Sequence, residues 1–487
     1  MMRVLRRHWL IAVLLTAGLA LRLLAQFGYR PALFYIDTIR YLYNSGGNDP
    51  VGYRLPLRAI LAVGDLAAVA AVQHVLGLAM AVAIYLTLLR RGTPRWLAAL
   101  AAAPVLLDAY QIQIEQMILP DVWFQALIVA GVAVLLLSQR QAARNLHPAL
   151  RIVVIAGLIF GVCATFRQVG EILVLPALLY LIVAGGDWRA VLARSAAFTA
   201  AFAVPVLGYM TGSYFLTGHF YLSHSGVTTA YGRMAWAADC RGLRLPAVQR
   251  ALCPTPDQRA LGPDGLEHSP LSPIKPYYTG PLSHQASQLV ASFNAAVLRQ
   301  QPGRVAVSYL RDVVKPFALT RTGSPGDPPI SRWQFQADYP FLRPHATPSV
   351  VLPAIAQYGG GRPRVWHAAA GFLRGYQLGG GYTPGPLLAF CVLAGLAGSV
   401  LAGLRRRVSV ERGRLALACL LFFGCGAAVV ALSDLFEFSW RYQLPALVTL
   451  PPAAAAAVAA LTVTRATGQS DDTRRLAQAG EEVGLRD

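Results

Sequence analysis

The residues best suited to chemistry are charged side chains just outside long apolar runs. Asp37 lies in Phe34-Tyr35-Ile36-Asp37-Thr38-Ile39-Arg40-Tyr41-Leu42, soon after the first such run. Aromatic and apolar neighbours keep water from a carboxylate, which raises its pKa and suits it to act as a general base. The competing reading is an aspartate capping a helix that begins at Thr38. A second cluster, Glu115-Gln116-Met117-Ile118-Leu119-Pro120-Asp121, puts two carboxylates on one short connection. Asp121 either caps the helix that follows or joins Glu115 in holding a divalent cation, with Asp37 approaching from the first loop. Oxygen ligands of this kind suit Mg²⁺, Mn²⁺ or Ca²⁺.

Two arginines form the cationic counterpart. Arg167 follows an apolar run in Thr165-Phe166-Arg167-Gln168-Val169-Gly170-Glu171, and Arg441 precedes one in Phe438-Ser439-Trp440-Arg441-Tyr442-Gln443-Leu444-Pro445. A guanidinium at headgroup depth can grip a lipid-linked phosphate through its planar fork, with Tyr442 beside it. The alternatives are pairing with a nearby acid, such as Arg167 with Glu171 one turn on, or snorkelling to lipid headgroups. Arg54 and Arg58 share the first loop with Asp37 and are further candidates for phosphate or sugar contacts. His74 reads as a satisfied core histidine, and Asp65 and Asp108 as structural or undecided.

The elements that must position these residues are set by composition. The chain has 487 residues, of which 55% are hydrophobic and only 14% charged, with mean hydropathy +0.47. Soluble domains carry about 25% charged residues, so a water-covered globule is excluded and a polytopic all-α membrane protein is expected. About ten spans are expected, near 9–28, 66–89, 96–113, 122–138, 152–166, 170–185, 195–216, 385–404, 415–434 and 443–463. The first reads as a retained anchor, because it is long, contains Arg22 and lacks a small-residue cleavage site. The net charge of +20 is explained by arginines at span ends rather than by nucleic-acid binding.

Those arginines also give an expected orientation. Arg90, Arg91 and Arg95; Arg140, Arg144 and Arg151; Arg189 and Arg194; and Arg405, Arg406, Arg407, Arg412 and Arg414 recur at alternate ends. The positive-inside bias then puts both termini in the cytoplasm and the Asp37, Glu115 and Arg167 connections outside. Four parts are expected: a membrane module over 1–216, an extracytoplasmic segment over 217–383, three further spans over 384–464 and a polar cytoplasmic tail over 465–487. Within the external segment, 286–299 and 304–314 have helical periodicity, broken at Pro302-Gly303. Gly359–Gly361 and Gly379–Gly381 read as flexible joints. Cys240 and Cys253 lie in this segment, where oxidation is permitted, and would either pair or remain as two thiols. Cys163, Cys391, Cys419 and Cys425 lie inside apolar runs and read as small core residues.

The sequence has no G-x-x-x-x-G-K-[ST], dinucleotide G-x-G-x-x-G, H-E-x-x-H or G-x-S-x-G pattern. ATP-driven transport, intramembrane zinc proteolysis and serine hydrolysis lose support accordingly. What is present resembles the GT-C superfamily of membrane glycosyltransferases, particularly its actinobacterial protein-mannosyltransferase-like and arabinosyltransferase-like members. The resemblance rests on Tyr35-Ile36-Asp37-Thr38 followed by Tyr53-Arg54-Leu55-Pro56, on Glu115 to Asp121 read as Glu-x-x-x-x-Pro-Asp, and on Arg167-Gln168. Ala237-Ala238-Asp239-Cys240 and Leu252-Cys253-Pro254 extend it into the external segment. Such proteins often have Asp-Glu or Asp-Ser where this chain has Asp37-Thr38.

The resemblance implies a polyprenyl-phosphate sugar donor, a glycan or protein acceptor, and an active site on the outer face of the cytoplasmic membrane. Asp37 would be the base of an inverting displacement. Arg167, Arg441 or a cation near Glu115 and Asp121 would stabilise the departing phosphate. The rival readings are a polyprenyl-lipid flippase, which should carry polar groups or broken helices at mid-membrane, and a non-catalytic scaffold of a cell-envelope complex.

Overall fold

The computed structural model describes residues 6–43, 52–137, 147–223, 225–277, 283–342, 346–404 and 408–462. Arg3, Arg140, Arg144, Arg405, Arg406, Arg407 and the polar tail 465–487 lie outside the described residues. Six helices are long and apolar enough to cross a membrane: Trp9–Gly28, Leu66–Arg91, Trp188–Leu216, Gly385–Gly403, Val410–Phe436 and Pro445–Thr462. A seventh crossing results if Arg95–Leu107 and Ala109–Gln116, which meet at a bend of 51°, are taken as one span. The apolar helices Asp121–Leu137, Leu150–Phe166 and Gln168–Ala184 are shorter. Each falls on one of the apolar runs read from the sequence.

The ends of these helices follow local chemistry. Asp65 caps Leu66–Arg91 by accepting from the Ala68 amide at 2.9 Å, and Gly92 closes that helix in the left-handed region. Asp108 makes the bend between Leu107 and Ala109. Its backbone is extended, and its carboxylate accepts from the Tyr110 amide at 3.0 Å, capping the second piece. The same carboxylate receives Arg321 at 2.7 Å and the Thr383 amide at 2.8 Å. Arg91, read from the sequence as an orienting charge, turns inward instead and donates to the Leu136 carbonyl.

Between Trp188–Thr217 and Gly385–Gly403 the chain forms short helices around a small core of its own. Tyr231, Leu252, Leu266, Val290, Phe293 and Val297 are fully buried there. Helices His284–Gln300 and Pro302–Val314 stand where periodicity predicts them, divided at Gln301. Cys240 and Cys253 are joined in a disulfide, whereas Cys163, Cys391, Cys419 and Cys425 are free and buried. Arg233 clamps this part to the membrane helices: it pairs with Asp312 and donates to the Asp434 carbonyl at 2.9 Å. Further along, Arg364–Val365 pairs antiparallel with Tyr29–Arg30 at the end of the first long helix. The turn before it is a packed one. Gly359, Gly360 and Gly361 all have positive φ, and a Cβ at Gly360 would lie 2.4 Å from Pro31.

Candidate functional site

The site begins where two loops are zipped together. The Leu33 amide donates to the Gln116 carbonyl at 2.9 Å, and the Ile118 amide returns to Leu33 at 3.2 Å. Thr38 completes the join, its hydroxyl donating to the Ile118 carbonyl at 3.1 Å. The first turn of helix Thr38–Tyr43 is capped by the backbone carbonyl of Asp37, which accepts from the Arg40 amide at 3.0 Å. The Asp37 carboxylate is thereby left for another partner. A third strand of chain is tied in at Gly52, whose amide donates to Thr165 at 2.9 Å. A Cβ at Gly52 would stand 2.4 Å from the Thr165 hydroxyl, so only glycine permits this approach. The contact lies two residues before Arg167.

Arg441 is the centre of the site. Its Nη1 donates to Asp37 Oδ2 at 2.7 Å, its Nη2 to Asp121 Oδ2 at 2.8 Å, and its Nε lies 3.0 Å from both Asp121 oxygens. Arg167 also bonds to Asp121 and lies 4.7 Å over the Tyr442 ring. The faces of Tyr35, Trp333 and Tyr442 surround the Arg441 guanidinium at 5.3–5.8 Å, a packing that favours a desolvated cation. Asp121 sits in the first turn of helix Asp121–Leu137, where negative charge is favourable. Of this cluster, Asp37 is the most open to the cavity, with 22% of its side chain exposed against 5% for Arg441 and Asp121.

Asp37, Arg167, Arg441 and Tyr442 line a cavity of about 340 Å³. Its cationic lining is Arg40, Arg167 and Arg441, beside Asp37. The same lining also carries Glu171, Ser225, Thr229, Glu267, His268 and Glu437. Burial tends to raise the Asp37 pKa, but the charges of Arg441 and Arg40 outweigh it and hold the carboxyl below its ordinary range. The raised value expected from its apolar neighbours is therefore reversed. Glu437 behaves oppositely. Burial, reinforced by the negative charges of Asp264 and Glu267, pushes it well above the usual carboxylate range.

The structure thus brings together Asp37, Asp121, Arg167, Arg441 and Tyr442, and leaves out Glu115, Arg54 and Arg58, which the sequence grouped with them. Glu115 is turned into the helix bundle, away from Asp121's partners. It receives Arg22 at 2.7 Å, His74 at 3.0 Å and Gln111 at 3.1 Å, and is fully buried. His74 is satisfied on both ring nitrogens, by Glu115 and by Gln116 at 2.8 Å. Arg54 is not in the cavity wall; it donates to the Tyr41 carbonyl at 3.1 Å.

The pairing of Glu115 with Asp121 as cation ligands is therefore corrected. Asp121 is taken by two arginines and Glu115 by a third. Among the described residues no three His, Cys, Asp or Glu side chains converge as a metal-binding group. Sequence reasoning missed Glu437, although it stands three residues before Trp440 at the end of an apolar run, the same signal that marked Asp37. Glu267 and His268 lie in the segment 217–383 and carry no motif.

No protein-family model matches the chain, and no curated protein matches it. Among solved structures it is similar to the Archaeoglobus fulgidus oligosaccharyltransferase in complex with Zn and sulfate, at 13% identity and TM-score 0.42, over 92% of this chain and 48% of that one. It is similar to the S. cerevisiae protein O-mannosyltransferase complex bound to the sugar donor, at 15% identity and TM-score 0.33, over 46% of this chain and 35% of that one. The chain therefore spans half or less of the length of these two proteins. The Cupriavidus metallidurans ArnT structure bound to undecaprenyl phosphate is matched at 12% identity and TM-score 0.32, over 90% of this chain and 77% of that one.

Proposed function

We propose that the chain is an inverting glycosyltransferase that moves a sugar from a polyprenyl-phosphate donor to an acceptor hydroxyl at the outer face of the cytoplasmic membrane, with both termini inside. The observation that carries this reading is the contact of Asp37 with Arg441 at 2.7 Å on the wall of a cavity that also presents Arg167 and Tyr442. A base and a phosphate-binding fork side by side are what a displacement at an anomeric carbon needs.

In this mechanism the acceptor oxygen bonds to the anomeric carbon as the bond from that carbon to the phosphate oxygen breaks. Asp37 takes the acceptor's proton, and Arg441 and Arg167 take up the charge developing on the polyprenyl phosphate. Two guanidiniums face two carboxylates before the donor arrives, so an incoming phosphate must compete with Asp37 for Arg441. Winning that competition releases Asp37 from the charge that depresses its basicity. Donor binding thus prepares the base. Among the described residues the carboxylates do not make up a metal-binding set, and no step passes through a cation.

A flippase reading draws on two observations, the helix broken at Asp108 and the buried Arg22–Glu115–His74 group. That group is closed, however. Arg22 is 1% exposed and Glu115 fully buried, and neither reaches the cavity. The test uses membranes containing the chain, incubated with radiolabelled polyprenyl-phosphate mannose and, separately, arabinose. Label should pass to acceptor with the wild type and not with Asp37→Asn. Folded protein that transfers neither sugar and binds no polyprenyl phosphate would move the transport or scaffold reading ahead.

A further inference from the structure

The mechanism uses Asp37, Arg167 and Arg441 and leaves the cavity's glutamates without a role. Glu437 lines the cavity, is 9% exposed, and its Oε2 has no hydrogen-bond partner in the described structure. A buried carboxyl oxygen without a partner is costly and calls for one. Its neighbours on the wall are polar. Glu267 accepts the Thr228 hydroxyl at 2.9 Å and the Thr229 hydroxyl at 2.8 Å, and His268 lies 3.8 Å from its second oxygen.

We propose that Glu437 and Glu267 form a carbohydrate-hydroxyl subsite, which seats the ring of a sugar whose reacting end lies against Asp37 and Arg441. This rests on the glycosyl-transfer reading above. Sugar hydroxyls both donate and accept, and so does a neutral carboxylic acid, which is the form that the surroundings of Glu437 favour. An anionic lipid phosphate, by contrast, is drawn to Arg40, Arg167 and Arg441. The cavity therefore offers different partners to the two halves of one donor, or to the donor phosphate and the acceptor's sugar.

The experiment measures binding to the full purified chain of bare undecaprenyl phosphate, of the same lipid carrying mannose or arabinose, and of the soluble methyl glycosides. Wild type should bind a sugar-bearing lipid roughly tenfold more tightly than the bare lipid, the gain expected of one well-made hydrogen-bonded contact. Glu437→Leu should abolish that gain and leave bare-lipid affinity unchanged. Glu437→Gln, which keeps a donor and an acceptor, should retain most of it. A gain seen only with methyl glycosides, and lost in Glu437→Leu, assigns the subsite to the acceptor's sugar. Should Glu437→Leu not fold, Glu267→Leu carries the same expectation.

The subsite is overturned if no sugar form depends on either glutamate, or if Glu437→Leu weakens the bare lipid as much as the sugar-bearing one. Failure of wild type to bind bare undecaprenyl phosphate overturns instead the donor reading on which the subsite depends.

Discussion

Asp37 and Arg441 are 404 positions apart in the chain and 2.7 Å apart in the cavity wall. Their contact sets the state of the proposed base before any substrate arrives. Arg441 holds Asp37 ionised and weakly basic, and a phosphate that draws Arg441 away changes both properties at once. The two pH profiles of such an enzyme should therefore differ.

The acid limb of kcat/KM reports the free enzyme and that of kcat the donor complex. Asp37 must be ionised to accept a proton, so activity falls as pH drops through its pKa. In the free protein that pKa lies below the ordinary carboxylate range, which keeps the kcat/KM limb low. In the complex, phosphate occupies Arg441 and adds a negative charge beside Asp37, so the kcat limb should lie at higher pH. Arg441→Gln should raise the kcat/KM limb, because burial is then opposed by Arg40 with less help. Coincident limbs in the wild type would separate Asp37 from the rate and remove it as the base.

Glu115 should matter to the fold and not to the donor. Glu115→Ala leaves the Arg22 guanidinium buried without its carboxylate, a change of about 3–5 kcal/mol for a buried ion pair. Thermal unfolding in detergent should show the loss, with Glu115→Gln milder because the amide still accepts from Arg22. Binding of undecaprenyl phosphate by the folded fraction should be unaltered. Loss of binding in Glu115→Gln at an unchanged midpoint would return Glu115 to the site.

Much of this arrangement was legible along the chain, and the illegible part has a common cause. The apolar runs fix which segments are helical, and acids and arginines at their ends mark Asp37, Asp121, Arg167 and Arg441. Spacing could not show that Glu115 and Asp121 diverge. Glu115 lies in helix Ala109–Gln116, whereas Met117–Pro120 is not helical, so the turn between them has no period from which a shared face could be read. Nor could it show that Arg22 is Glu115's partner, 93 residues earlier. Glu267 reaches the cavity only because the segment 217–383 folds around its own core. Pairings of this kind depend on tertiary packing, not on local pattern.

Chelation should leave transfer intact. Asp37 and Asp121 are neutralised by guanidiniums, and no metal-binding group forms among the described residues. Activity measured after EDTA, and again after Mg²⁺, Mn²⁺ or Ca²⁺ is restored, should be the same. A loss that one of these ions reverses would mean that Asp37 and Asp121 rearrange around a cation when substrate binds, and the release of Asp37 by phosphate would need another origin.

The disulfide should act on the cavity through the helix that it supports. Cys240 and Cys253 close a separation of 13 residues just after helix Gly226–Ala237. Within that stretch the Leu252 carbonyl accepts from the Tyr231 hydroxyl at 2.7 Å. Gly226 and Thr229 of the same helix line the cavity. The chain-entropy model gives a loop of this size about 3 kcal/mol, most of which the segment 217–383 should lose in Cys240→Ser/Cys253→Ser. Asp37 and Arg441 belong to other elements, so the chemical step should change little and substrate KM should rise. Proteolysis of that segment and steady-state kinetics at low temperature, where the variant remains folded, together test this. A fall in kcat at constant KM would place the disulfide's influence on the reacting groups themselves, and a variant as protease-resistant as wild type would show that the small core holds without it.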